Sequence, residues 1–301
     1  MPAAALESPA QRAPERRFER LGRGRLRVEW GPVSLVLAAR GPAEMPPGSL
    51  EGAGARALQA LEELAGHQRL LGVDLRRIRN SDGLPPVTRA LVETPRPFAE
   101  EGVTPLIAVA GVVADAVADF LAEQGATWVA VSNGGDVALR LAPGESAWVG
   151  LVPRVDAPDP IARVRVGAGD GIGGVATSGF GGRSLTLGIA DAATVFAGRA
   201  GLADAAATLA ANAVHVDSPA VERVPAETLD PETDLSGRLV TRRVGFLSES
   251  EVDAALDRGA AWARARVDEG LICGAVLALR GRWRFVGWPG EGGLAVSDGK
   301  F

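Results

Sequence analysis

Residues 105–141 read PLIAVAGVVADAVADFLAEQGATWVAVSNGGDVALRL, and the fold class turns on how this stretch divides. Up to Gly125 the apolar residues are nearly continuous, with a proline at the start and a glycine at the end. That pattern predicts a well-buried helix with Gly125 as its C-terminal cap. From Trp128 onward two β-prone runs flank SNGGD at 132–136. Asn-Gly between such runs signals a tight hairpin, because primed turns need positive φ at both central residues. A plain turn needs fewer glycines than this one has, and it need not end in a carboxylate. Asn133, Gly134, Gly135 and Asp136 therefore read as a turn, as a wall that a ligand approaches, or as both.

The same helix-then-hairpin pattern recurs at 249–288. There SESEVDAALDRGAAWARARVDEG opens with a capping-box spacing, Ser248 and Glu251, and LICGAVLALRGRWRFVGW turns at Arg280-Gly281. Other strands are expected at 23–40, at SAWVGLVPR, at IARVRVGAG and at LVTRRVGFL, with one or two helices between Leu50 and Ile78. Hairpins throughout, with helices in blocks, predict an α+β fold with antiparallel sheets. The expected organisation is a tail over 1–20, one domain over 21–290 and a second tail over 291–301.

The chain has 301 residues, a net charge of −5, 47% hydrophobic and 23% charged residues. This is ordinary for a globular protein and gives no support to nucleic-acid or anionic-membrane binding. The only lysine is Lys300, which excludes Schiff-base and P-loop-lysine chemistry. A single cysteine, Cys273, cannot form an internal disulfide or a thiolate cluster. No signal peptide is read at the N-terminus and no stretch reaches about 20 apolar residues, so a cytoplasmic location is expected.

Two further clusters carry chemistry. In LADAAATLAAN, Asp204 and Thr208 lie four apart on one face of an expected helix. They read either as two oxygen ligands for a hard cation such as Mg²⁺ or as a carboxylate favouring a helix start beside a packed threonine. In ATSGFGGRS, Thr177, Ser178 and Gly179 present donors suited to a phosphate or a ring edge.

In this order the clusters resemble the ApbE-like superfamily, whose best-known members are FAD:protein FMN transferases. Its Lys-Gly-aromatic-small-small-Asp pattern is matched by AGVVAD through Gly111 and Asp115, with Ala110 and Val112 replacing the lysine and the aromatic. Gly134, Gly135 and Asp136 match its Gly-Gly-Asp, with Asn133 before them. Thr177, Ser178 and Gly179 match its Thr-Ser-Gly, and Ala203, Asp204 and Thr208 its Ala-Asp-x-x-x-Thr. The resemblance implies T-fold-like duplicated halves, FAD as cofactor, and Mg²⁺ on Asp204 and Thr208. It also implies transfer of FMN to a hydroxyl of an acceptor protein, with Gly111, Asp115, Asn133, Gly134, Gly135, Thr177, Ser178 and Gly179 around the nucleotide. The family's His-x-x-Asp-Pro-x-Thr-Gly is absent, which places the chain nearer an uncharacterised branch. Arg183 and Asp191 stand in that gap, either as substitutes or as a turn residue and a strand-end carboxylate; with Asp136 they are the candidate catalytic residues. The alternatives are a flavin or small-molecule binding protein without catalysis, and a different reaction on the same fold. The sheet edges expected of such a fold lead us to expect a homo-oligomer.

Overall fold

The computed structural model describes residues 17–22, 24–30, 33–41, 45–152, 160, 162–182, 184–287 and 294–295. The chain begins with strands β1 (Arg17–Gly22), β2 (Arg25–Trp30) and β3 (Val33–Arg40). Helices α1 (Ser49–Ala65), α2 (Gln68–Leu71), α3 (Pro86–Glu93) and α4 (Val109–Glu123) follow. Next come β4 (Trp128–Asn133), β5 (Asp136–Leu141), β6 (Ser146–Leu151), β7 (Ala162–Gly167), β8 (Gly174–Ser178) and β9 (Ala192–Ala197). Helix α5 (Ala200–Ala213), β10 (Val221–Pro225), β11 (Leu239–Val244), helix α6 (Glu249–Asp268), β12 (Gly274–Leu279), β13 (Arg282–Gly287) and β14 (Leu294–Ala295) complete the chain.

Nine strands form one antiparallel sheet in the order β1-β2-β3-β4-β5-β8-β9-β12-β13. The α+β class read from the sequence is the observed one. Both helix–hairpin units lie on this sheet: α4 packs on β4 and β5, and α6 on β12 and β13. Helices α1, α4, α5 and α6 cover one face, where α4 and α5, buried between neighbours, carry near-continuous apolar sequence. A three-stranded sheet, β14-β7-β6, packs on part of the other face through Val164, Val166, Leu139, Val175, Phe196 and Val276. The Ser248 capping box at the start of α6 forms as expected.

Two expectations need correction. Residues 17–20, expected in a tail, belong to β1. Glu19 pairs with Arg27 at 2.9 Å, and the Phe18 ring fills the space a side chain at Gly54 would take, so the segment is held from both sides. Residues 1–16 lie outside the described residues. At the other end, Leu294 and Ala295 pair with β7 instead of lying in a tail; the rest of 291–301 lies outside the described residues. The stretch Pro105–Glu123, a 3₁₀ turn continuing into α4, is long and apolar enough to cross a membrane, with mean hydropathy 1.9. Here it packs against α1, α3, α5 and the sheet.

Candidate functional site

SNGGD is a two-residue hairpin turn. Asn133 and Asp136 are paired, and Gly134 and Gly135 have φ of 66° and 124°. A Cβ on either glycine would meet nothing within 4 Å, so backbone conformation selects glycine here and the tip is open. The turn is tied to the start of α4 by Asn133, whose Nδ2 donates to the Ala110 carbonyl at 3.1 Å.

Helices α4 and α5 cross at Gly111 and Gly201. A Cβ at Gly111 would run into the backbone of Ala200 and Gly201, and one at Gly201 into the Val112 side chain at 2.6 Å. Bare backbone at both positions lets each helix start come within reach of the other helix's carboxylate. The Gly111 N–H donates to Asp204 Oδ2 at 2.9 Å, and the Gly201 N–H donates to Asp115 Oδ2 at 2.9 Å. These N–H groups lie in first helical turns, where no backbone partner is available and the helix dipole favours negative charge.

The two carboxylates then part company. Asp115 faces Arg140 at 2.9 Å and Arg199 at 3.5 Å, and Asp119 completes the network at 2.6 Å to each arginine. Asp204 lines a separate cleft of about 1130 Å³ together with Asp136 and Thr208. Both Asp136 and Asp204 keep a partly open edge, yet protein encloses their carboxyl groups. Burial pushes Asp136 up to about 7, with the Thr177 N–H pulling the other way. Burial also holds Asp204 well above the usual carboxylate range; the charge of Asp136 adds to this, and the N–H groups of Gly111 and Ala110 oppose it.

Among the described residues no arginine pairs with either carboxylate. Among the described residues the cleft carries six carboxyl groups, from Glu101, Asp136, Asp204, Asp230, Glu232 and Asp234, against one guanidinium, that of Arg238. An anionic ligand would be repelled from such a lining unless a cation came with it. No group of three or more His, Cys, Asp or Glu side chains placed to hold a metal occurs among the described residues. Asp136, Asp204 and Thr208, which line one cleft, nevertheless offer oxygen donors only. Such a set fits Mg²⁺, a cation bound through one or two carboxylates with phosphate oxygens and water in the remaining positions.

The other candidate residues lie elsewhere. Thr177 is the penultimate residue of β8, its N–H serving Asp136 and its hydroxyl pairing with that of Thr194 at 2.8 Å. Ser178 follows it on β8, and Gly179, with φ 146°, is pressed against the backbone of Ala190 and Asp191. Asp191 is not among the cleft residues: its carboxylate accepts the Arg280 N–H at the β12–β13 turn, where Arg280 has φ 50°. Asp191 is thus the strand-end carboxylate of the two readings open to it. Arg183 lies outside the described residues. Sequence reading passed over Asn212, His215 and Trp262, which line the same cleft. For Asn212 the signal was present, since it continues the spacing of four set by Asp204 and Thr208.

Fold and site together define an α+β protein with a wide acidic cleft built around an enclosed carboxylate pair. The chain belongs to the family described as AbpE bacteria, whose model matches residues 16–285. It is also similar to two UPF0280 proteins. The one from Methanopyrus kandleri is 39% identical over 171 residues, covering 56% of this chain and 64% of that protein. The one from Methanosarcina acetivorans is 35% identical over 144 residues, covering 47% of this chain and 54% of that protein. The matched regions thus span less than two thirds of either relative.

Proposed function

We propose that the cleft binds a flavin nucleotide such as FAD together with Mg²⁺, and that its activity is transfer of the FMN half to an acceptor hydroxyl, as the ApbE-like resemblance implies: the hydroxyl oxygen bonds to the FMN phosphorus, the pyrophosphate P–O bond breaks, AMP leaves and the hydroxyl proton passes to solvent. The observation carrying this reading is the pair Asp136 and Asp204, enclosed, facing the same cleft and without a paired cation among the described residues. Asp136, Asp204 and Thr208 would hold the metal. When bound, Mg²⁺ neutralises pyrophosphate charge and polarises the phosphorus that is attacked. The chain's own part is positional. The Gly111 and Ala110 N–H groups fix Asp204, and the Thr177 N–H fixes Asp136. Asn133 holds the glycine turn against the start of α4.

A second reading, Mg²⁺-dependent flavin binding without transfer, is favoured by one observation. Asp191, which stands in the gap left by the His-x-x-Asp-Pro stretch, is occupied at the β12–β13 turn. Its carboxylate has no part in the cleft.

Calorimetric titration with FAD, with and without Mg²⁺, tests the proposal on the wild type and on Asp204→Asn. The asparagine keeps an acceptor for the Gly111 N–H and removes the charge. Binding that requires Mg²⁺ and weakens at least tenfold in the variant is expected. Equal binding without the metal, or no binding at all, contradicts the reading. Assay of the same protein for FMN attached to candidate acceptor proteins then separates transfer from binding.

A further inference from the structure

Asp204, Thr208 and Asn212 follow one another at intervals of four along α5, and all three line the cleft. Eight residues of helix span about 12 Å, so Asn212 lies two turns from the carboxylate pair. His215, just past the end of α5, and Trp262 of α6 line the cleft as well.

The hydrogen bonds of this far end define what it offers. Asn212 Oδ1 accepts from the Leu187 N–H at 2.9 Å and from the Thr186 hydroxyl at 3.1 Å. Two donors on Oδ1 settle the amide orientation, so the amino group is the part left to offer. The Thr186 hydroxyl in turn accepts from the Gly188 N–H at 3.2 Å, which fixes the direction in which it donates. His215 Nδ1 lies 3.1 Å from the Ala213 carbonyl, which can only accept. Nδ1 therefore carries a proton, and in the neutral ring Nε2 is the acceptor. A donor on Asn212 and an acceptor on His215, with an indole in the same cleft, match the mixed edge of a heteroaromatic ring.

We propose that Asn212 and His215 read the ring edge of the nucleotide whose phosphates sit at Asp136, Asp204 and Thr208, so that the ligand lies extended along α5. This rests on the metal–nucleotide reading above. It adds two specificity-determining residues and an orientation: phosphate toward the helix start, ring toward the helix end. About 12 Å suits a ligand in which a pyrophosphate or sugar-phosphate linker separates the metal-binding group from the ring.

The test compares two probes in the presence of Mg²⁺, FAD and inorganic pyrophosphate, on the wild type, Asn212→Asp and His215→Phe. Asn212→Asp keeps the acceptor used by Leu187 and Thr186 and removes the amino donors. His215→Phe keeps the ring and removes both nitrogens. Each variant is expected to weaken FAD about tenfold more than pyrophosphate, as for the loss of one good hydrogen bond. The added charge of Asn212→Asp acts on both anionic probes, so the loss of FAD affinity in excess of the loss for pyrophosphate is the ring effect. FAD binding equal to wild type in both variants overturns the proposal and leaves the metal site standing. Equal weakening of both probes also overturns it, because a merely structural role would do that. Wild-type protein that binds pyrophosphate but not FAD overturns the proposal while sparing the metal end. Protein that binds neither contradicts the underlying reading.

Discussion

Asp115 and Asp204 cap each other's helices: the carboxylate on α4 accepts an N–H from the first turn of α5, and the carboxylate on α5 accepts one from the first turn of α4. The exchange is reciprocal, yet only one partner is neutralised. Asp115 has two arginines beside it, whereas Asp204 has Asp136. The same local geometry thus yields one carboxylate inside an arginine network and one facing the cleft, and the difference lies in which side of the helix crossing each occupies.

Asp115→Ala should destabilise the protein by about 3 kcal/mol, because it removes the buried partner of Arg140 and the cap of α5, leaving Arg140 only Asp119 as a carboxylate. The measurement is denaturant unfolding. A loss below about 1 kcal/mol would contradict a structural role for this residue.

Gly111→Ala should cost about 1–3 kcal/mol or more by forcing α4 away from α5. Because Asp204 is held by the Gly111 N–H, Mg²⁺-dependent FAD binding should weaken in the protein that still folds. Unfolding curves and calorimetry on one preparation check both effects together.

Asp136 has a raised carboxyl, about 7 against an ordinary 3.8, with burial as the main cause. The folded state therefore keeps a proton that the unfolded state has lost across that interval. Metal-free protein should lose stability as pH rises from about 4 to about 7, and Asp204, raised by burial as well, continues the decline. Mg²⁺ should flatten the decline, and Asp136→Asn should remove much of it. Thermal unfolding against pH, with and without Mg²⁺, measures this; stability that rises over the same interval would count against an enclosed Asp136.

Asp191→Ala should remove about 1 kcal/mol through the lost bond to the Arg280 N–H, which holds a non-glycine residue at positive φ. FAD affinity should stay at the wild-type value. A large drop in binding without loss of stability would return Asp191 to the site.

Much of the fold was legible because its elements are locally consistent. The helix ending near Gly125, the Asn-Gly turn and the Ser248 capping box each follow from residues a few positions apart. The pairing of β5 with β8, and of β9 with β12, was not legible, since those contacts join segments far apart in the chain. Strand β1 was hidden because half of its residues are charged; what orders it is its pairing with β2 and a long-range contact from Phe18 to α1. At the site, the spacing of Asp204 and Thr208 could be read directly. The separation of Asp115 from the cleft could not, because it depends on how α4 crosses α5. Nor could the loss of Asp191 to a turn nearly 90 residues further on.

The most direct test of the metal site is Mn²⁺ binding followed by electron paramagnetic resonance, with and without FAD, on wild type and Asp136→Asn. One bound Mn²⁺ per chain in the presence of FAD, absent in the variant, is the predicted result. A free-ion signal unchanged by protein, or an equal signal in the variant, would show that Asp136 and Asp204 do not hold a cation.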